Sequence, residues 1–298
     1  MGRIEKGIFL GVLAVLLLSL GMMFLQGLTD TGAPKVYHIS VLLDGTGDEY
    51  WRNFRKGVDR AARETNADVR FVTRYEGDAA KAQVEALRQE WEGEADGVIV
   101  VPVDGGLLAA GLLDARADLK LVVAGPDLGS DRVSSYVWAD SGAMGRRLAQ
   151  AVADGGHASC TVVRSSDSAR EGLFKGLTDG LDELDIPWEE ALPDGELPRE
   201  GAVAALTPGD AEALCRRTEA AGRVYGIGTS NRLLHCLEEG TAAALVVQSD
   251  YDAGYLRVKR LVSALQGRAQ DNVTLDCYTV TAENMFTDPI DQILVPIG

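Results

Sequence analysis

The sequence predicts an α/β protein of two parallel-sheet lobes behind a single membrane-spanning helix. Three observations predict it. An uncharged apolar run extends from Gly7 to Leu28. From Val36 onward, short apolar runs alternate with segments whose apolar residues recur at helical spacing, the mark of β-α units and hence of parallel sheet. After Asp140 that alternation starts again, so a second lobe follows the first. The chain has 298 residues, 46% apolar and 25% charged, which is enough apolar material for two compact domains.

Arg3 and Lys6 precede the apolar run, and positive charge on that side holds the N-terminus in the cytoplasm. Everything after about Thr29 is then expected outside. The run is long enough to cross a bilayer as a helix. A cleaved leader would have a shorter apolar stretch ending in a small-x-small site, and Leu25-Gln26-Gly27 is a poor one. The first cysteine that a lipid could modify is Cys160. Span length thus favours an uncleaved anchor and tether over residues 1–35.

Val36 to Leu43 reads as a buried strand, and Glu49 to Thr65 as a helix with Phe54, Val58, Ala61 and Ala62 on one face. Strands follow at Val69 to Thr73, Gly97 to Val103 and Leu121 to Ala124, separated by helices at Ala79 to Trp91 and Leu107 to Ala115. Beyond Tyr136-Val137-Trp138 come a helix at Ala143 to Ala153, a strand at Cys160 to Arg164 and a helix at Ser168 to Leu184. The segment from Asp185 to Gly201 holds three prolines and no helical period, so it reads as strand plus loop. Then come strands at Ala202 to Leu206, Val224 to Gly228 and Leu245 to Gln248, with helices at Asp210 to Ala221 and Arg232 to Glu238. A helix at Tyr255 to Leu265 precedes a final extended stretch.

The net charge of -16 repels phosphate backbones, which argues against a nucleic-acid partner. No C-x-x-C pair or Cys/His spacing suggests a metal site, and no cofactor is expected. The four cysteines, Cys160, Cys215, Cys236 and Cys277, read as core thiols or, in an exported protein, as partners in a bridge. Asp44-Gly45-Thr46-Gly47 has the first two glycines of a dinucleotide loop, but Tyr50 stands at the third position and no Gly-Lys-Ser/Thr follows. His38, His157 and His235 lie on different predicted elements and form no triad.

Three motifs then fall in a recognisable order: Asp-Gly-Thr-Gly-Asp-Glu-Tyr50-Trp51 after the first strand, Val-Pro-Val-Asp104 after the third, and Tyr-Val-Trp-Ala-Asp140 entering the second lobe. With Gly226-Ile-Gly-Thr-Ser-Asn and Ala-Ala-Leu-Val-Val-Gln248 near the end, the chain resembles the ribose-type periplasmic binding proteins of type 1, from about Val36 to the C-terminus. The same fold serves as the sensor half of sugar-responsive repressors. The resemblance implies two doubly wound lobes, with three crossings near Asp140, Ser249 and Cys277, and a ligand between strand C-terminal ends. The first lobe would be 36–139 plus 249–277, and the second 140–248 plus 278–298.

Carried over residue by residue, Tyr50 and Trp51 match the family's aromatic pair and Asp48 its first polar contact. Asp104 ends the third-strand motif. Asp140 matches the acid at the first hinge and Gln248 the amide near the second, while Arg170 lies one position out of register from the family's second-lobe arginine. Aromatic faces would stack on a sugar ring, and charged and amide groups would bond its hydroxyls. Read without a ligand, Tyr50 and Trp51 could pack in the core, Asp48 and Asp140 could cap helices, and Arg170 could be a solvated charge. Other family contacts differ. Gly125-Pro126 stands for an Asp-Arg pair, Thr207-Pro208 for Asn-Asp, and Gly228 for a late aspartate.

The function implied is capture of a small polar, carbohydrate-like solute for an ABC permease, without catalysis. The alternative is a degenerate co-receptor presenting its ligand to a membrane sensor kinase. A third reading is a nucleotide- or sugar-modifying enzyme, since fold does not fix function.

Overall fold

The computed structural model describes residues 2, 11, 13, 15–22, 35–43, 51–72, 78–114, 118–164 and 171–296. Two compact units emerge, Met1–Val36 and Tyr37–Gly298. Within the first, Gly11, Leu13 and 15–22 are helical, and the apolar side chains Val15, Leu17 and Leu18 are exposed. Among the described residues no helix is long and apolar enough to cross a membrane. The expected span from Gly7 to Leu28 lies in large part outside the described residues, so a continuous spanning helix is not shown.

The second unit holds two six-stranded sheets. The first lobe runs β1 (Tyr37–Leu42), α1 (Arg52–Thr65), β2 (Ala67–Val72), α2 (Ala79–Glu92), β3 (Gly97–Val100), α3 (Gly105–Gly111), β4 (Lys120–Val123) and β5 (Ser135–Ala139). The second runs α4 (Ser141–Asp154), β6 (Cys160–Val163), α5 (Glu171–Glu183), β7 (Trp188–Ala191), β8 (Ala202–Ala205), α6 (Pro208–Cys215), β9 (Val224–Ile227), α7 (Asn231–Glu238) and β10 (Ala242–Gln248). The chain then returns as α8 (Asp250–Leu265) and β11 (Val273–Leu275), and ends in β12 (Cys277–Val280) and α9 (Ile290–Leu294).

Strand order is β2-β1-β3-β4-β5-β11 in one sheet and β7-β6-β8-β9-β10-β12 in the other. All pairings given are parallel except β10 with β12. Order 2-1-3-4-5 is the doubly wound pattern, with its switch point between the first and third strands of each lobe. Ligands of such sheets sit beyond the strand C-terminal ends there.

Both faces of each sheet are covered, which explains why the strands read as continuous apolar runs. Ile39 and Val41 pack with Phe54, Val58 and Leu261 on one face of the first sheet. Leu42, Val98 and Val100 pack with Leu87, Trp91 and Leu108 on the other. In the second lobe Val162 and Ala204 meet Leu148, Val152 and Leu177, while Val163 and Val203 meet Leu214, Leu233 and Leu237.

Helix pairs α1·α8 and α4·α5 approach closely in these layers, and glycine is the reason. A methyl group at Gly57 would overlap the Tyr251 carbonyl, and one at Gly254 the Phe54 carbonyl. Gly145 faces the Leu173 carbonyl and Gly176 the Gly142 backbone in the same way.

Three segments differ from the expectations. The helix expected over Asp210 to Ala221 stops at Cys215, where Arg216 turns to donate its N–H to the Ala213 and Leu214 carbonyls, and a 3-10 turn follows at Thr218–Ala220. The helix expected from Tyr255 begins instead at Asp250, because Ser249 accepts the Asp252 N–H as its N-cap. The extended C-terminal stretch contains α9, whose Ile290, Ile293 and Leu294 close one core of the second lobe. Gly57→Ala and Gly176→Ala should each destabilise the protein by roughly 1–3 kcal/mol through overpacking. Gly209→Ala, where a methyl meets only Thr207 Oγ1 at 4.0 Å, should stay near zero. Urea unfolding of the three variants checks this, and equal stability of Gly57→Ala and Gly209→Ala would show that the helices can separate without cost.

Candidate functional site

The expected site residues are best located by strand. Asp104 follows β3 and Asp140 follows β5, both at C-terminal ends of the first sheet, while Gln248 ends β10 in the second. Asp48, Tyr50 and Arg170 lie outside the described residues, as does the Asp44 to Gly47 run.

Asp104 caps α3, its Oδ1 accepting the Leu107 N–H at 2.8 Å. Asp140 caps α4, its Oδ1 accepting the Ala143 N–H at 3.1 Å. Each carboxylate thus answers a helix's unsatisfied donors. Gln248 does more. Its Nε2 donates to Asp250 Oδ1 at 3.2 Å, and Thr229 Oγ1 of the second lobe donates to Asp250 Oδ2 at 3.0 Å. The expected amide at the second hinge therefore sits in a polar cluster where α8 leaves for the first lobe.

Trp51 requires a correction. It is 8% exposed, and its indole meets Phe54 edge-on at 5.3 Å within the core of the first lobe. Residues 51, 54, 58 and 61 share one helical face, so the apolar stripe of α1 already includes the tryptophan. That is the core packing weighed for Trp51 when read without a ligand.

Between the lobes lies a cleft lined by Arg52, Asn53 and Lys56 of α1, by Thr229, Ser230 and Asn231 ahead of α7, and by Leu294 and Val295. Asn53 Nδ2 donates to the Leu294 carbonyl at 3.0 Å and Lys56 Nζ to the Pro296 carbonyl at 3.3 Å, so the C-terminal segment bridges the lobes. Ser230 caps α7, and its hydroxyl donates to Glu212 Oε1 at 2.6 Å. Thr229, Ser230 and Asn231 fall in the Gly226-Ile-Gly-Thr-Ser-Asn motif, but nothing in the sequence placed Arg52, Asn53, Lys56, Leu294 or Val295 at a site. Polar residues on the outer face of an amphipathic helix look like ordinary solvent contacts, and only the Ser-Asn start of α7 carried a readable capping signal.

A second missed residue supports the first lobe's wall from behind. Gln83 is buried on α2, donates to the Val101 carbonyl at 2.8 Å and accepts the Val103 N–H at 2.8 Å. It pins the loop that leads to Asp104. A glutamine where the helix face is otherwise apolar was the available signal, because a buried amide needs partners.

The differences from the family's sugar contacts also have a geometric basis. Gly228 has φ +112°, and a Cβ there would lie 2.9 Å from Pro208 Cγ. Thr207, beside that proline, caps α6 by accepting the Asp210 N–H at 3.0 Å. Proline and glycine fill the place together, leaving no room for an aspartate.

Residues 39–183 match the family model described as "Periplasmic binding protein domain". That match spans 145 of the chain's 298 residues. No curated protein matches it. Among solved structures, a carbohydrate transporter solute-binding protein from Agrobacterium radiobacter in complex with D-arabinose is similar at TM-score 0.77 and 18% identity, covering 88% of this chain and 100% of that one. An ABC transporter solute-binding protein from Agrobacterium vitis with bound D-fucose gives 0.75 and 18%, over 86% and 99%. A glucose-galactose binding protein from Geobacillus stearothermophilus gives 0.72 and 18%, over 85% and 100%. At these identities the likeness establishes the fold.

Burial raises the Asp250 carboxyl above its ordinary value, with the Thr229 and Gln248 hydrogen bonds and the Arg257 charge pulling the other way. A raised acid favours the folded state while it is protonated. Its stabilising contribution is complete below the ordinary value and is lost as pH rises through the raised one. Asp250→Asn should therefore gain on the wild type in melting temperature from acid toward neutral pH. A difference that is constant between pH 4 and 7 would show that the carboxyl is not desolvated.

Proposed function

We propose that the protein is a membrane-anchored, extracytoplasmic solute-binding protein that captures a small polar, sugar-like ligand between its lobes for an ABC importer. The observation that carries this reading is the cleft itself. It lies at the starts of α1 and α7, beyond the carboxyl ends of β1 and β9, where doubly wound sheets place their ligands. Its lining combines two cations, Arg52 and Lys56, with hydroxyl and amide groups, and a polyol's oxygens would take the place of the Leu294 and Pro296 carbonyls that Asn53 and Lys56 now meet. Asp104, Asp140 and Gln248 would complete it from the strand ends, with Asp48, Tyr50 and Arg170 contributed by the adjoining loops. Trp51 would support that wall from within the core. The lobes, 36–139 plus 249–277 and 140–248 plus 278–298, would close as two bodies about the three crossings.

The anchor reading rests on Gly7 to Leu28. Leu16, Leu17, Leu18 and Leu20 are all exposed, Leu18 at 74%, and such an apolar helical surface is stabilised in a bilayer rather than in water. One observation favours the co-receptor alternative. Gly125-Pro126 and the Gly228–Pro208 contact remove charged partners that a buried sugar hydroxyl would need, each worth about 1 kcal/mol.

Two measurements test the reading. Protease added to intact cells should digest the domain beyond Lys35, and protection there would overturn the outward orientation. Thermal-shift screening of the full chain in detergent against D-arabinose, D-fucose, D-glucose, D-galactose and related polyols should find a ligand that raises Tm, with the shift reduced in Asn231→Ala. No shift across the panel would move the assignment to the co-receptor.

A further inference from the structure

We infer that Cys215 and Cys236 are a disulfide-forming pair, closed by thiol–disulfide exchange outside the cytoplasm, while Cys160 and Cys277 stay reduced; the inference rests on the outward orientation proposed above. All four are free thiols in this structure. Cys215 ends α6 and Cys236 lies within α7, helices that pack against each other in the second lobe. Both side chains belong to one apolar cluster, with Leu214, Leu233 and Leu237.

The electrostatics of Cys215 agree with that packing. Burial pushes its thiol up to about 12, and the next contributor is the Cys236 thiol. Cys160 is likewise pushed up to about 12, but burial does so and the Ala204 backbone opposes it, with no thiol involved. Cys160 stands on β6, within the sheet, and Cys277 on β12, at its edge, the two strands being separated by β8, β9 and β10.

Exposure sets the order of events. Cys236 is half-buried whereas Cys215 is buried, so exchange starts at Cys236. Its sulfur loses a proton and attacks the disulfide of an oxidant, either a protein disulfide of the compartment or a small-molecule one. That forms a mixed disulfide and releases one oxidant thiol. Cys215 then loses its proton, attacks the Cys236 sulfur and expels the second oxidant thiol. Two protein thiols are oxidised by two electrons in all, and one oxidant disulfide is reduced to two thiols.

The bond would tie together the two helices that already meet through Glu212, which accepts the Ser230 hydroxyl and pairs with Arg232 at 3.4 Å. Ser230 and Asn231 line the cleft, so closing the bridge fixes the second lobe's side of it.

The test uses the full chain, reduced and then incubated with oxidised glutathione. Thiols titrated after denaturation should fall from four to two. Tryptic digestion should link peptides 200–216 and 233–257, about 2 Da lighter than their sum. The same link should form in Cys160→Ser and be missing from Cys215→Ser, and protein alkylated in intact cells before lysis should already carry it. Persistence of four thiols in the wild type, or a link through Cys160 or Cys277, overturns the pair. A link that forms with glutathione but is missing from cell-derived protein overturns closure in the cell. Protease protection of the domain would then assign that failure to the orientation, and protease access to the pair.

Discussion

The contact between α1 and α8 at Gly57 and Gly254 is the constraint on which the cleft depends. α8 is where the chain returns from the second lobe to the first, and it can lie flush on α1 only because neither glycine has a side chain to meet the opposing carbonyl. Arg257 fastens the same helix from within. It is 6% exposed, donates Nη2 to the Val137 carbonyl at 3.0 Å and lies 5.5 Å over the Phe54 ring. A buried cation tolerates that position because its donors meet a carbonyl and its face an aromatic ring. With α8 so placed, Ser249 and Asp250 stand at the lobe boundary, while α1 presents Arg52, Asn53 and Lys56 to the same space.

Across that boundary the described polar links include Thr229 and Gln248 to Asp250, Asn53 to Leu294 and Lys56 to Pro296. Each hydrogen bond contributes about 1 kcal/mol net. Their sum is small beside the apolar cores of the two sheets. A ligand with modestly greater affinity for one of two arrangements can shift the equilibrium between them, which is the physical requirement for a protein that reports occupancy by closing.

Much of this architecture is legible in the sequence because the strands are buried on both faces. Runs such as Val98-Ile99-Val100 can be little else when amphipathic helices flank them. The errors came at helix ends. Tyr255 looked like the start of α8 because the apolar period is clearest from there, although Ser249 and Asp252 already spelled a cap three residues apart. The short α9 was hidden by Pro289 and by its brevity, leaving Ile290, Ile293 and Leu294 as the faint period of a single turn. Trp51 shows the opposite fault. An aromatic at a helix start suggests a ligand, yet its spacing to Phe54 and Val58 already committed it to the core. The cleft residues of α1 were illegible for a plain reason, since their contact is with another lobe some 240 positions away in the chain.

The same long-range geometry explains why the chain departs from the sugar receptors it resembles. Pro208 and Gly228 belong to different β-α loops of the second lobe, and only the fold brings them within contact. Restoring an aspartate at 228 alone would force a β-carbon against the proline ring in a backbone conformation that favours glycine. An asparagine at 207 could cap α6 as Thr207 does, so the steric constraint lies at Gly228 and Pro208. With position 228 closed to an acid in this way, the polar partners proposed for a ligand include the first turns of α1 and α7. There Arg52, Asn53, Lys56, Ser230 and Asn231 face one another across the lobes. Selectivity would then be governed by how closely those two helix starts approach, which is set by the glycine contact behind α1 and by the α6–α7 pairing behind Ser230.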